Sequence, residues 1–123
     1  MCFDARPKVT EPECVAIRAA IDRIPGLQTF GSCSGHGENP LRVLFDCDDL
    51  FHLPILLYFL MPCHVGCRWR CEPYTDCMFA PVRFVVQSLS TGATAYAEAV
   101  QIAAEITQFM DDYPNGLDDP EFE

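Results

Sequence analysis

Lysine is nearly absent from this 123-residue chain: Lys8 is the only one, and no basic residue follows Arg83. Eight acidic residues do follow it, so most of the net charge of −10 belongs to the C-terminal third. Up to Arg83 the chain carries eight basic and ten acidic residues, a balance of −2. A chain so short of cations gains little from attraction to a phosphate backbone, which excludes generic nucleic-acid binding as an expected function. One small anionic ligand held by a local group of arginines stays possible, because seven of the eight basic residues are Arg, whose planar guanidinium suits bidentate capture of phosphate or carboxylate.

Long hydrophobic runs are missing as well. The longest, Leu53 to Met61, contains Pro54 and falls far short of the roughly 20 residues that a membrane-spanning helix needs. Met1-Cys2-Phe3-Asp4 has neither the basic nor the apolar segment of a secretory leader. The expectation is a cytoplasmic protein with no membrane partner. Its eight cysteines are then expected to be reduced thiols, since half of the residues are hydrophobic and a core can form without bridges.

What is present reads as one α+β domain over residues 1–110 with an acidic, flexible tail over 111–123. Residues 1–9 form an entry arm. Thr10, Pro12 and Glu13 mark a helix start, and Cys14, Ile17, Ile21 and Ile24 follow at helical spacing until Pro25-Gly26. Leu27 to Phe30 is a strand, and Leu41, Val43, Phe45 and Cys47 alternate along a second. Asp48-Asp49 offers caps for a second helix, apolar nearly all round, over Leu53 to Met61. Strands follow over Arg68 to Tyr74, with Trp69 and Cys71 on one face and Arg70 and Glu72 on the other, and over Val82 to Leu89. Ser90-Thr91-Gly92 is read as a loop before a last helix from Ala93 to Met110. The order is α-β-β-α-β-β-α, three helices packed on a four-stranded sheet.

The densest polar chemistry lies in Gly31-Ser32-Cys33-Ser34-Gly35-His36-Gly37, which holds three of the seven glycines. Read as a loop, its backbone amides form an anion-cradling nest with Ser32 and Ser34 as further donors. Cys33 with His36 is a candidate nucleophile and base, with no third, orienting group identifiable. Two other groups stand out. Cys63, His64, Cys67, Cys71 and Cys77 offer zinc its preferred sulfur and nitrogen ligands, but the spacing is not that of a zinc knuckle. Arg42, Arg68, Arg70 and Arg83, with Glu72, form a charged sheet surface if their strands pair.

The stretch Thr29-Phe30-Gly31-Ser32-Cys33-Ser34-Gly35 resembles the Ser-Cys-Ser-Gly signature loop of the wybutosine-synthesis tRNA methyltransferase family. Glu72-Pro73 resembles that family's strand glutamate, followed by a strand and a helix. His36 stands where the family carries a basic residue. The resemblance implies a similar α+β fold, Ser32, Cys33, Ser34, Gly35 and Glu72 in the site, and S-adenosylmethionine as cofactor. The leading functional expectation is a domain that binds a small polar or nucleotide-like molecule through Ser32, Cys33, Ser34, Gly35 and His36, with Glu72, Arg42, Arg70 and Arg83 contributing. The alternatives are a methyltransferase-like enzyme acting on a modified nucleotide, and an acidic interaction module that pairs with itself or engages a basic protein through its tail.

Overall fold

The structure, a computed structural model, describes residues 11–48, 50–61, 69–74 and 83–118. Within them, three helices and four strands follow one another as α1 (Pro12–Arg23), β1 (Leu27–Cys33), β2 (Pro40–Cys47), α2 (Leu53–Leu60), β3 (Trp69–Pro73), β4 (Arg83–Thr91) and α3 (Gly92–Asp112). All strand pairs are antiparallel and the sheet order is β1-β2-β4-β3. The α+β class and the element order match the sequence reading. Each β-hairpin follows a helix, and the second strand of each hairpin lies at the centre, so the two α-β-β units face each other about the β2–β4 pairing.

One face of the sheet carries the core. Leu41, Val43, Phe45 and Cys47 of β2 lie beside Val86 of β4 and Trp69 of β3, under Cys14, Ile17, Ala20 and Ile21 of α1 and Ala95, Ala99, Ile102, Ala103 and Ile106 of α3. The alanines let α3 approach closely, and the branched residues fill the spaces between them. The buried Ser88 and the half-buried Glu98 tie the far side together. Ser88 Oγ accepts from the Leu41 amide at 2.9 Å and donates to the Ser90 carbonyl at 2.7 Å. Glu98 accepts from Trp69 Nε1 at 3.1 Å and from Ser90 Oγ at 2.7 Å, anchoring β3 and β4 to α3.

Several boundaries differ from the sequence reading, each for a physical reason. Gly31, Ser32 and Cys33 belong to β1 rather than to a loop, because they pair with Leu44, Val43 and Arg42. Ser90 and Thr91 extend β4, and α3 starts at once on Gly92, whose φ of 60° makes the sharp strand-to-helix turn. The α2 cap is His52 after a short 3-10 turn over Leu50–His52, so Asp48 does not cap it, and Asp49 lies outside the described residues. Leu57, Tyr58 and Met61 are exposed, so α2 is apolar all round yet buried on one side only. Folded structure continues past Met110, where the sequence reading ends the domain. α3 continues to Asp112, Gly116 is buried, and Leu117 packs on the core. A Cβ on Gly116 would come within 2.6 Å of the His52 ring, so this segment lies directly against the 3-10 turn before α2. Residues 1–10 and 119–123 lie outside the described residues. No described helix is long and apolar enough to cross a membrane.

Burial has a titration consequence. It pushes the Cys14 thiol up to about 11 and the Cys71 thiol up to about 12, against an ordinary value of 9.0. In the unfolded chain these thiols ionise near their ordinary value, whereas the folded state holds the protons. Their contribution to stability is therefore complete below pH 9 and lost as pH rises toward 12. Urea melts across that range should show stability falling with pH, and the Cys14→Ala, Cys71→Ala double variant should show a shallower fall; an equal slope in both would contradict the assignment.

Candidate functional site

The glycine-rich turn is shaped by helix α1 as much as by its own residues. β1 is an edge strand, so some of its amides find no strand partner. Asp22 of α1 takes the Thr29 amide at 2.7 Å and the Thr29 hydroxyl at 2.9 Å. Glu11, the N-cap residue of α1, takes the Ser34 amide at 2.7 Å and the Ser34 hydroxyl at 3.3 Å. Arg18 lies between them and donates to Thr29 Oγ1 at 3.2 Å and Ser32 Oγ at 3.3 Å. The spacing explains the fit. Positions 11, 18 and 22 fall on one stripe of a helix with 3.6 residues per turn, and 11 to 22 spans about 16 Å. Thr29 to Ser34 spans about 16 Å of extended chain, so an antiparallel helix and strand bring both pairs into register.

Past β1 the backbone enters the left-handed region at three successive residues, with φ of 82° at Gly35, 56° at His36 and 84° at Gly37. Gly35 is required twice over: a Cβ there would lie 2.8 Å from the Pro40 carbonyl oxygen. Histidine in this region carries a strain of about 1–2 kcal/mol that a glycine would avoid. Two amides of this turn are already engaged: Gly35 N–H donates to Cys33 Sγ at 3.4 Å and His36 N–H to Ser34 Oγ at 3.2 Å. Gly35 O accepts from the amides of Glu38 and Asn39. Read as an anion nest, the turn already holds an anion, the carboxylate of Glu11.

Glu11 also supplies the orienting group that the Cys33–His36 pair lacked in sequence. Cys33 Sγ lies 3.7 Å from His36 Nε2, and the other ring nitrogen, Nδ1, lies 3.6 Å from Glu11 Oε2. Cys33 is buried, whereas the His36 side chain is 64 % exposed. The two partners face different ring nitrogens, the arrangement of a proton relay rather than of a metal chelate.

The remaining candidates lie on the sheet face opposite the core. Strand register places Cys33 opposite Arg42, Arg42 opposite Gln87, and Gln87 opposite Arg70, so a single row crosses the sheet from the turn to the far edge. The Cα atoms of Arg42 and Arg70, two strand spacings apart, are separated by about 10 Å. Arg42 is exposed and its guanidinium has no partner among the described residues. Arg70 pairs with Glu72 at 3.0 Å, both about half exposed. Arg83 pairs with Asp46 at 2.8 Å and stacks 4.7 Å over the ring of Phe30, a residue bulged out of the β1–β2 pairing and 44 % exposed.

Arg42 and Arg70 thus share a face with the turn's end, but Ser32 points to α1 and Ser34 to Glu11. Glu72 stands three strands from Gly31, about 14 Å away across the sheet, so the two parts of the resemblance do not meet directly. Of the five candidate zinc ligands, Cys71 turns to the core side beside Trp69, and Cys63, His64, Cys67 and Cys77 lie outside the described residues. Among the described residues, no group of three or more His, Cys, Asp or Glu could hold a metal ion. Sequence reasoning missed Glu11, Arg18 and Asp22. The signal was their common helical stripe, which reads as a solvated face until a strand edge is laid beside it. No protein-family model matches the chain, and no curated protein or solved structure matches it.

The two flanking glycines make distinct predictions. Gly35→Ala meets both the left-handed φ and the Pro40 carbonyl and should destabilise by about 2–4 kcal/mol. Gly37→Ala has nothing within 4 Å of the added carbon and should lose only about 1 kcal/mol, from backbone strain. Urea denaturation of the two variants measures the difference, and equal losses would contradict this turn geometry.

Proposed function

We propose that the chain binds a small anionic, nucleotide-like molecule on the exposed sheet face beside the glycine-rich turn. The observation that carries this reading is Arg42, an exposed guanidinium with no partner among the described residues, one strand from Cys33 and in the same row as Gln87 and Arg70. In this reading Arg42 takes a phosphate or carboxylate, Arg70 exchanges its solvated ion pair with Glu72 for the ligand, and Gln87 offers an amide between them. Phe30, one side of its ring covered by the Arg83 guanidinium, offers an aromatic surface for a base about three residues along β1. The turn contributes its exposed His36, not the amides of Ser34, Gly35 and His36, which Glu11 and the neighbouring side chains occupy. The acidic remainder of the molecule disfavours long polyanions, which fits a ligand with one anionic group better than a nucleic acid.

Isothermal titration with adenosine and guanosine monophosphates, and with inorganic phosphate, tests the proposal. Binding should weaken about tenfold in Arg42→Ala and in Arg70→Ala, the loss of one charge-assisted hydrogen bond, while the melting temperature holds. Affinity unchanged in both variants, or no heat with any of the three at millimolar concentration, would overturn it. Parallel titration with S-adenosylmethionine tests the cofactor that the family resemblance implies.

A further inference from the structure

Of the Glu11–His36–Cys33 relay only the exposed His36 borders the ligand face, and the buried thiol behind it is unused there. We propose that Cys33 is a site of reversible oxidation by hydrogen peroxide, with His36 as proton acceptor and Glu11 as the residue that positions it. Three observations converge on it. The sulfur has two nitrogen neighbours placed to stabilise a thiolate, the Gly35 amide at 3.4 Å and His36 Nε2 at 3.7 Å. The imidazole is oriented through its second nitrogen by a carboxylate that the Ser34 amide and hydroxyl hold in place. His36 also keeps a left-handed backbone, flanked by two glycines, where a third glycine would be unstrained, and that outlier puts its side chain against the thiol.

Burial selects the reagent. Cys33 is 1 % exposed and lies behind a residue that is itself mostly in solvent, so a displacement of the His36 ring admits a molecule the size of water and excludes bulky electrophiles. Cys14 serves as a control inside the same fold. It is 0 % exposed, equally buried, and has a serine hydroxyl rather than an imidazole as its hydrogen-bond partner. Because burial pushes the Cys14 thiol up to about 11, it sets a slow internal baseline, and the change in the Cys33 rate on removing the imidazole is what reports activation.

Cys33 Sγ–H gives its proton to His36 Nε2, and the thiolate attacks one peroxide oxygen. The S–O bond forms as the O–O bond breaks, sulfur losing two electrons and the peroxide gaining them. The departing hydroxide recovers the proton from Nε2 and leaves as water, and Cys33 remains as the sulfenic acid, which thiols return to the reduced state. Glu11 holds the Nδ1 proton throughout and never meets the peroxide.

The test uses the full chain. Native protein is exposed to hydrogen peroxide for set times, quenched with catalase, unfolded in the presence of a thiol alkylating reagent, and the free thiol at each cysteine is counted by peptide mass spectrometry. Cys33 should lose its free thiol about tenfold or more faster than Cys14, and dithiothreitol should restore it. The rate at Cys33 should fall about tenfold in His36→Asn, which tolerates the left-handed backbone, and in Glu11→Gln, while Cys14 is unaffected. Because Glu11→Gln also touches Ser34, each variant is first shown to retain the wild-type circular dichroism spectrum, and His36→Gly, which relaxes the backbone, serves as a second imidazole-free variant. Equal rates at Cys33 and Cys14 in the wild-type protein would overturn the proposal. So would an unchanged Cys33 rate in His36→Gly and His36→Asn. The ligand titrations above do not depend on this thiol, so the two readings fail separately.

Discussion

Two carboxylates on one stripe of α1 hold the free edge of β1, and the chemistry around the glycine-rich turn depends on them. An edge strand presents unpaired amides that must be covered, blunted or paired. Here Asp22 covers one end and Glu11 the other, with Arg18 between them neutralising part of the charge and bridging to two strand hydroxyls. Because Glu11 reaches across to Ser34, it cannot cap its own helix, and α1 starts on Pro12 with no side-chain cap. The carboxylate that closes the strand edge is the same one that orients His36 toward Cys33. Edge protection, turn geometry and the thiol relay are thus one arrangement seen from three sides.

The arrangement also separates two kinds of chemistry. The turn is inward-looking: its amides, Ser34 and Cys33 are engaged with the chain itself. The sheet face is outward-looking, with Arg42 and Arg70 in solvent and Phe30 bulged toward it. A β-bulge at Phe30 shifts the alternation so that Ser32 turns to α1 beside the core while Phe30 and Gly31 sit together on the outer side. Without that extra residue, Phe30 and Ser32, two positions apart, would share one face of the strand.

Most of the architecture could be read from the chain. The stripe Cys14, Ile17, Ile21 and the alternation Leu41, Val43, Phe45, Cys47 announced α1 and β2, and Pro25-Gly26 announced the turn between α1 and β1. What could not be read depends on pairing. Gly31, Ser32 and Cys33 have turn-like composition, yet β2 recruits them into the sheet, since tertiary pairing overrides weak local preference. The tail reads as disordered from its acids, Pro114 and Gly116, yet Gly116 fits against His52 because it has no side chain. The candidate arginines were identified by residue type, but their common row needed the strand register. Glu11 was legible only as a helix-start residue, since nothing local ties position 11 to position 34.

If α1 does hold the edge of β1, the amides of Thr29 and Ser34 are hydrogen-bonded interior amides in all but position. Native-state hydrogen exchange followed by NMR measures this directly. The account predicts protection factors for Thr29 and Ser34 close to those of the central-strand residues Val43 and Val86, since opening either amide requires α1 to leave the sheet. Exchange at the rate of an exposed strand edge, with Val43 and Val86 still protected, would contradict it: the two carboxylates would then be solvated surface groups, and the relay to Cys33 would lose its support.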